Sequence, residues 1–166
     1  MALIRLENAD HEAEFDATNG ALVSFVHKPS GWTMQGRAEL AQTFEMVVPL
    51  PERLLNRVDG RKQACAEVMQ DGQRITFRWE KLTSEHGGAL EIEVRCTVEL
   101  SEAGLHFEAE IANHSPYPVE SFAYPYIGDL RRKGERLTRA HMHYDNLNFR
   151  SLYPEFDNER GYWGTE

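Results

Sequence analysis

Apolar and polar residues alternate with a period of two along much of the chain. The clearest case is residues 90–100, where apolar side chains hold the even positions: Leu90, Ile92, Val94, Cys96, Val98 and Leu100. A helix would scatter these positions around its axis, whereas successive side chains of a strand point to opposite faces. The segment therefore predicts a strand with one buried face, and a second strand over 105–112 follows the turn at 101–104.

Turn-forming residues divide the rest of the chain into further strands. They predict strands over 3–6, 12–15, 22–26, 32–34, 44–50, 63–69, 74–80 and 119–127. The turn at 70–73, between two alternating segments, is a hairpin signal. Pro49 and Pro51 lack backbone N–H donors and end the strand that begins at Phe44. One short helical turn is allowed for, near Glu39 or Arg53.

The pattern predicts an all-β fold, an antiparallel β-sandwich of about ten or more strands. A chain of 166 residues buries about 70% of the surface that its unfolded form exposes, which suffices for one core. We therefore interpret residues 1–166 as a single β-sandwich domain. The period weakens from Gly128, and residues 146–166 are expected to form a long surface loop or an excursion between strands.

Charge and apolar content argue against several classes of partner. The 18 basic and 27 acidic residues give a net charge of −9, which repels phosphate backbones and argues against nucleic acid. The chain has neither a run of about 18 apolar residues nor the apolar core of a secretory signal, so no membrane partner is expected and the compartment stays undecided. Cys65 and Cys96 are too few for a disulfide framework and are interpreted as small buried hydrophobes.

Two stretches carry a resemblance to a known family. The first comprises residues 6–8, 14–16, 19–22 and 28–31, and the second comprises 105–111, 113–115, 118–119 and 124–126. They are similar to the opening hairpin and the central strands of galactose-mutarotase-like supersandwich domains, which occur in aldose epimerases and at the N-terminus of many glycoside hydrolases and polysaccharide lyases. Such domains are usually longer, so it stays open whether this chain is the N-terminal fragment of a longer protein.

The resemblance implies that this chain catalyses no reaction by itself. Aldose epimerases carry a His-Pro-Tyr stretch whose histidine is a general acid, and the similar place here is Tyr124-Pro125-Tyr126. A phenol with a pKa of about 10 replaces an imidazole of about 6.5 poorly at neutral pH. We expect an accessory or carbohydrate-binding domain of a glycoside hydrolase-like protein, with no catalytic residue and no cofactor. The alternatives are an aldose 1-epimerase-like or glycoside hydrolase enzyme, and a purely structural or oligomerising module.

Aromatic and planar polar side chains gather at the end of the sequence. Sugars stack their C–H faces on aromatic rings and pair their hydroxyls with forked donors and carboxylates. The candidate carbohydrate-binding residues are Tyr153, Asn158, Glu159, Arg160, Tyr162 and Trp163. The alternative is that Tyr162 and Trp163 fill the core, where the strand period also places Trp32 and Trp79.

Two other groups of side chains have ordinary explanations. His141, His143 and Asp145 alternate as metal ligands on one strand face would, but a solvated face explains the same spacing, so no metal is expected. The carboxylates at 155, 157 and 159 are interpreted as a solvated loop. The expected partners are an oligo- or polysaccharide bound weakly, a neighbouring catalytic domain of the parent chain, and a second copy joined through exposed edge strands.

Overall fold

A computed structural model describes residues 2–128, 140–144 and 148–152 of the chain. In these ranges every strand pair is antiparallel. The strands are β1 (Leu3–Glu7), β2 (His11–Asp16), β3 (Leu22–His27), β4 (Trp32–Met34), β5 (Glu45–Val47), β6 (Arg57–Asp59), β7 (Glu67–Asp71), β8 (Arg74–Trp79), β9 (Leu82–Ser84), β10 (Gly88–Leu90), β11 (Ile92–Ser101), β12 (Gly104–Asn113), β13 (Ser121–Ala123), β14 (Ala140–Tyr144) and β15 (Asn148–Leu152). The prediction of an all-β antiparallel sandwich is confirmed.

The core lies between two four-stranded sheets, one ordered β1-β2-β3-β4 and the other β12-β11-β8-β7. Their facing side chains form one apolar cluster, in which the rings of Phe15 and Phe77 lie 5.9 Å apart. A third sheet, ordered β13-β5-β6, adds Met46 and Phe122, and the ring of Phe44 beside β5 lies 5.2 Å from that of Trp79. The third sheet therefore closes one side of the sandwich.

The alternation along β11 is confirmed residue by residue. Val94, Cys96 and Val98 are 1% exposed or less, and they pair with β8 on one side and β12 on the other. The predicted strand is interrupted at Glu91, because β10 pairs with β9 while β11 starts at Ile92. β11 is thus an interior strand of its sheet, with one face buried.

The turn at 16–20, between β2 and β3, depends on a close approach. The Asp16 N–H donates to the Ala21 carbonyl at 2.9 Å, and Gly20 adopts a φ of +69°. A Cβ atom on Gly20 would lie 2.9 Å from the Trp79 ring. Glycine therefore satisfies both the backbone conformation and the packing at this turn.

Helical structure in the described ranges is limited to 3-10 turns at Ala38–Leu40 and Gly60–Lys62. The first confirms the helical turn expected near Glu39, whereas Arg53 pairs with Leu50 in an isolated β-bridge. No helix within the described residues has the length and apolarity of a membrane span.

Three expectations need correction. Trp32 is only half-buried and lies outside the core cluster, because it belongs to the edge strand β4. The strand expected over 119–127 is reduced to β13, since Pro118 and Pro125 cannot donate to a ladder. The loop expected over 146–166 is wrong at 148–152, where β15 pairs with β14.

Candidate functional site

The tail residues predicted to bind carbohydrate lie outside the described residues. This applies to the whole set: Tyr153, Asn158, Glu159, Arg160, Tyr162 and Trp163. His141 and His143 belong to β14, while Asp145 falls outside the described ranges. The predicted tail site stays a prediction.

Tyr124 occupies the place that the resemblance assigns to a catalytic histidine, and it lies against the core. Its ring centroid is 5.8 Å from that of Phe107 and 6.1 Å from that of Phe122, and its hydroxyl oxygen is buried. Burial and the neighbouring Cys96 thiol raise the pKa of Tyr124. The raised pKa makes the phenol a weaker proton donor, and its buried hydroxyl does not face solvent.

Charged side chains and a phenol meet instead on the exposed side of the third sheet. We name this group the Arg–acid–Tyr cluster, and its members are Glu45, Arg57, Asp59, Arg61 and Tyr126. Glu45 and Asp59 are register partners on β5 and β6, so their side chains share a face and start from neighbouring Cβ atoms. Two ionised carboxylates on neighbouring positions repel each other, so nearby cations are needed to stabilise them.

Two arginines supply those cations. The Arg61 guanidinium forms a bidentate ion pair with the Asp59 carboxylate. Its Nε donates to Oδ1 at 3.1 Å, and its Nη2 donates to Oδ2 at 2.8 Å. Arg57 Nε lies 3.7 Å from Glu45 Oε1. A two-pronged arginine–carboxylate pair holds both groups in a defined plane. The side chains of both arginines are 51% exposed, so a ligand in solvent can reach them.

The electrostatics fix the protonation states within the cluster. Burial acts to raise the pKa of Asp59, but the hydrogen bonds from Arg61 outweigh it and hold the pKa below its usual value. The same pairing raises the pKa of Arg61. Burial and the charge of Glu45 raise the pKa of Tyr126. At neutral pH the cluster therefore contains an ionised Asp59, a charged Arg61 and a neutral Tyr126 phenol.

The backbone holds the cluster rigidly. The Gly60 N–H donates to the Phe44 carbonyl at 2.9 Å, which ties the Asp59–Arg61 turn to the start of β5. The buried Gln63 side chain braces the turn, since its Nε2 donates to the carbonyls of Asp59 at 3.1 Å and Thr83 at 3.0 Å. The Tyr126 N–H donates to the Thr43 carbonyl at 3.0 Å. The groups are thus positioned before any ligand arrives.

The lowered pKa of Asp59 predicts a pH dependence of stability. A carboxyl whose folded pKa lies below its unfolded value stabilises the fold above about pH 4, and that contribution is lost as pH falls through the folded pKa. We expect Asp59→Asn to be less stable than the wild type at neutral pH, with the difference shrinking as pH falls below about 4. Urea unfolding at several pH values measures it. Asp71→Asn, at the exposed end of β7, is the control, and a pH-independent difference at Asp59 would contradict the assignment.

A second polar surface lies on the exposed face of the β7–β12 sheet. A depression of about 400 Å³ is lined there by Met69, Arg74, Thr76, Arg95, Thr97, Glu108 and Glu110. Its arginines pair with carboxylates across strands, for example Arg95 with Glu110 at 3.3 Å. Exposed ion pairs of this kind contribute about 0–1 kcal/mol to the free energy of unfolding, because solvent screens the two charges. No aromatic ring lines the depression, so we interpret it as the solvated face of the sheet.

The two cysteines do not form a reactive centre. Both are free thiols, with Cys96 buried and Cys65 half-buried. Burial raises the pKa of each to about 12, so neither is a thiolate nucleophile at neutral pH. Among the described residues, no three His, Cys, Asp or Glu side chains converge on a point where a metal ion could sit.

The Arg–acid–Tyr cluster was missed at the sequence level. Residues 52–59 have no clear period, yet Arg57, Asp59 and Arg61 alternate, which is a weak signal for charged side chains on one strand face. Tyr126 was identified only as the neighbour of Tyr124. The pairing of β5 with β6 and the position of Tyr126 are not visible in the sequence.

Comparison with models of known protein families gives no match, and a search of curated proteins gives none either. The resemblance to galactose-mutarotase-like domains therefore remains a prediction.

Proposed function

We propose that this chain is an accessory β-sandwich domain of a carbohydrate-active protein, and that it binds sugar weakly without turning it over. The observation that carries the proposal is the Arg–acid–Tyr cluster, in which two half-exposed guanidinium groups, two carboxylates and a phenol gather beside β5 and β6. Planar forks and carboxylates of this kind pair with vicinal hydroxyls. The proposed partners are an oligo- or polysaccharide and a neighbouring catalytic domain.

The protonation states favour binding over hydrolysis. A glycoside hydrolase needs one carboxyl of its pair protonated at working pH, which requires a raised pKa. Arg61 does the opposite to Asp59, whose pKa is lowered. The buried hydroxyl of Tyr124 is equally unsuited to protonate a ring oxygen. The enzyme alternative predicts mutarotation above the buffer rate in polarimetry, lost in Tyr124→Phe, and we expect no such activity.

The binding proposal has a matched pair of test variants. Arg57 and Arg95 both lie on exposed strand faces, have side chains 51% and 55% exposed, and sit 3.7 and 3.3 Å from a glutamate. We expect oligosaccharides to shift the backbone amide signals of β5 and β6 with a dissociation constant around 1 mM, because a shallow site excludes little water. Arg57→Ala should weaken binding about tenfold or more, and Arg95→Ala should leave it unchanged.

Other outcomes identify the alternatives. Equal weakening by Arg57→Ala and Arg95→Ala would mean that only general charge matters and would contradict a site at the cluster. If Trp163→Ala abolishes the shifts while Arg57→Ala does not, the sugar site lies in the tail, as the sequence predicted. If none of the oligosaccharides tested shifts any backbone amide signal, the proposal of sugar binding is overturned. The structural or oligomerising module is then favoured.

A further inference from the structure

β12 is the outermost strand of its sheet and runs for ten residues, Gly104–Asn113. Within the described ranges no residue forms a backbone hydrogen bond with its outer edge. Long exposed edges are templates for pairing with another strand, and proteins usually shorten, bend or protect them. β12 contains neither proline nor lysine, two of the usual protecting residues, and its charged side chains Glu108 and Glu110 lie on the solvent face.

The bonding pattern shows which residues face outward. The Leu100 N–H donates to the Gln73 carbonyl at 2.9 Å, away from β12, so the even residues of β11 bond to the β8 side and the odd residues bond to β12. The register pairs Glu99 with His106 and Leu100 with Leu105. The free N–H and C=O groups of β12 therefore belong to its own odd residues: Leu105, Phe107, Ala109 and Ile111.

The side chains of the same residues are incompletely covered. They lie on the core-facing side of the sheet, opposite the buried even residues of β11. Nevertheless Ile111 is 37% exposed, Ala109 is exposed, and Leu105 and Phe107 are only half-buried. The edge thus offers free backbone groups and apolar side chains together, which is the combination that an added strand uses.

We propose that β12 pairs antiparallel with β12 of a second copy of this chain, around a two-fold axis at Phe107. In this register Phe107 opposes its own counterpart in a hydrogen-bonded pair, and Leu105 opposes Ala109 on both sides of the axis. On the solvent face His106 opposes Glu108 twice. An imidazole donates to a carboxylate in either protonation state.

Charge disfavours the registers whose axis lies closer to the C-terminal end of β12. Shifting the axis to Glu108 places two Glu108 side chains directly opposite each other, and shifting it to Ala109 opposes Glu108 with Glu110 twice. Like charges directly opposite each other on antiparallel strands destabilise the pairing. The axis at Phe107 avoids both clashes and adds a cross-strand pair of aromatic rings.

Sedimentation velocity of the full chain over a wide concentration range tests the dimer. We expect a dimer with a micromolar dissociation constant. Ala109→Pro removes an outward N–H while leaving the bonds to β11 intact, so it should raise the dissociation constant by about a hundredfold with an unchanged thermal midpoint of the monomer. A monomeric wild type would overturn the proposal. A large fall in the midpoint of Ala109→Pro would do so as well, because it would mean that an intramolecular strand already uses that N–H.

A charge exchange tests the register. His106→Glu sets carboxylates opposite each other and should weaken the dimer about tenfold or more, whereas His106→Glu combined with Glu108→His restores the complementary pair and should recover it. His114→Glu adds the same charge beyond the end of the strand and should have little effect. If the double variant remains as weak as the single one, the axis does not lie at Phe107 and the proposal fails. Sugar binding by the cluster is unaffected by any of these outcomes.

Discussion

Replacing Val94 by aspartate should leave the domain largely unfolded at 25 °C. Val94 is fully buried at the centre of β11, and it pairs with Trp79 on one side and Ile111 on the other. A carboxyl in such a place must either ionise without a partner or take up a proton. Taking up a proton at pH 7 costs about 4 kcal/mol for a carboxyl whose unfolded pKa is about 3.9, and burying the neutral carboxyl without a hydrogen-bond partner adds about 1–3 kcal/mol. That is comparable with the whole stability of a small domain, about 5–15 kcal/mol.

Two further variants calibrate the result. Val94→Ala removes two methyl groups and should cost about 1–3 kcal/mol, visible as a lower midpoint in urea. Glu93→Ala is next along the strand on the solvent face and breaks only a half-exposed contact with Arg78 at 3.2 Å, so it should cost about 0–1 kcal/mol. Far-UV circular dichroism and urea titration measure all three. Equal losses at positions 93 and 94 would refute the inward register of β11.

Gly60→Ala should destabilise the fold by about 3 kcal/mol and disrupt the Arg–acid–Tyr cluster. A Cβ atom there would lie 2.6 Å from the Phe44 carbonyl oxygen and 2.8 Å from the Phe44 nitrogen. Backbone atoms cannot rotate away as a side chain can, so β5 and the Asp59–Arg61 turn must separate. Loss of the Gly60 hydrogen bond to Phe44 would then release Asp59 and Arg61 from their position beside Glu45.

Gly72→Ala separates this steric effect from the general effect of losing a glycine. Gly72 has a φ of +55°, and a Cβ atom added to it would meet no other atom within 4 Å. Alanine at this position should lower the stability by only about 1 kcal/mol, because it must adopt the left-handed backbone conformation. Thermal unfolding of both variants gives the comparison, and amide shifts at β5 and β6 report on the cluster. If Gly60→Ala costs no more than Gly72→Ala, the contact with Phe44 does not restrict that position.

The local sequence pattern was sufficient to predict strands and hairpins where neighbours along the chain are also neighbours in space. The Gln70–Gln73 hairpin signal is confirmed by the pairing of β7 with β8, and the alternation of 90–100 is confirmed by the burial of Val94 and its even neighbours. These features follow from the two-residue repeat of a strand and from turn chemistry, both of which are written in consecutive residues.

Patterns misled where burial depends on a strand's place in its sheet. Trp32 and Trp79 have equivalent strand periods, yet Trp79 lies on β8 in the core and Trp32 lies on the edge strand β4. The same holds for β12, whose core-facing Ile111 is 37% exposed although its partner Val94 is fully buried. A period predicts which face of a strand is apolar, but only the strand order decides whether another sheet covers that face.

The sequence by itself determined the fold class and the buried, alternating strand β11. Tertiary structure alone decided the candidate site. Glu45 lies beside Asp59 because β5 pairs with β6. The absence of a side chain at Gly60 allows the turn to approach Phe44. Tyr126, which is distant in sequence, is held near the cluster by the hydrogen bond from its N–H to the Thr43 carbonyl. Contacts between distant segments depend on which strands pair and which surfaces are buried together, and no local repeat of residues encodes that choice.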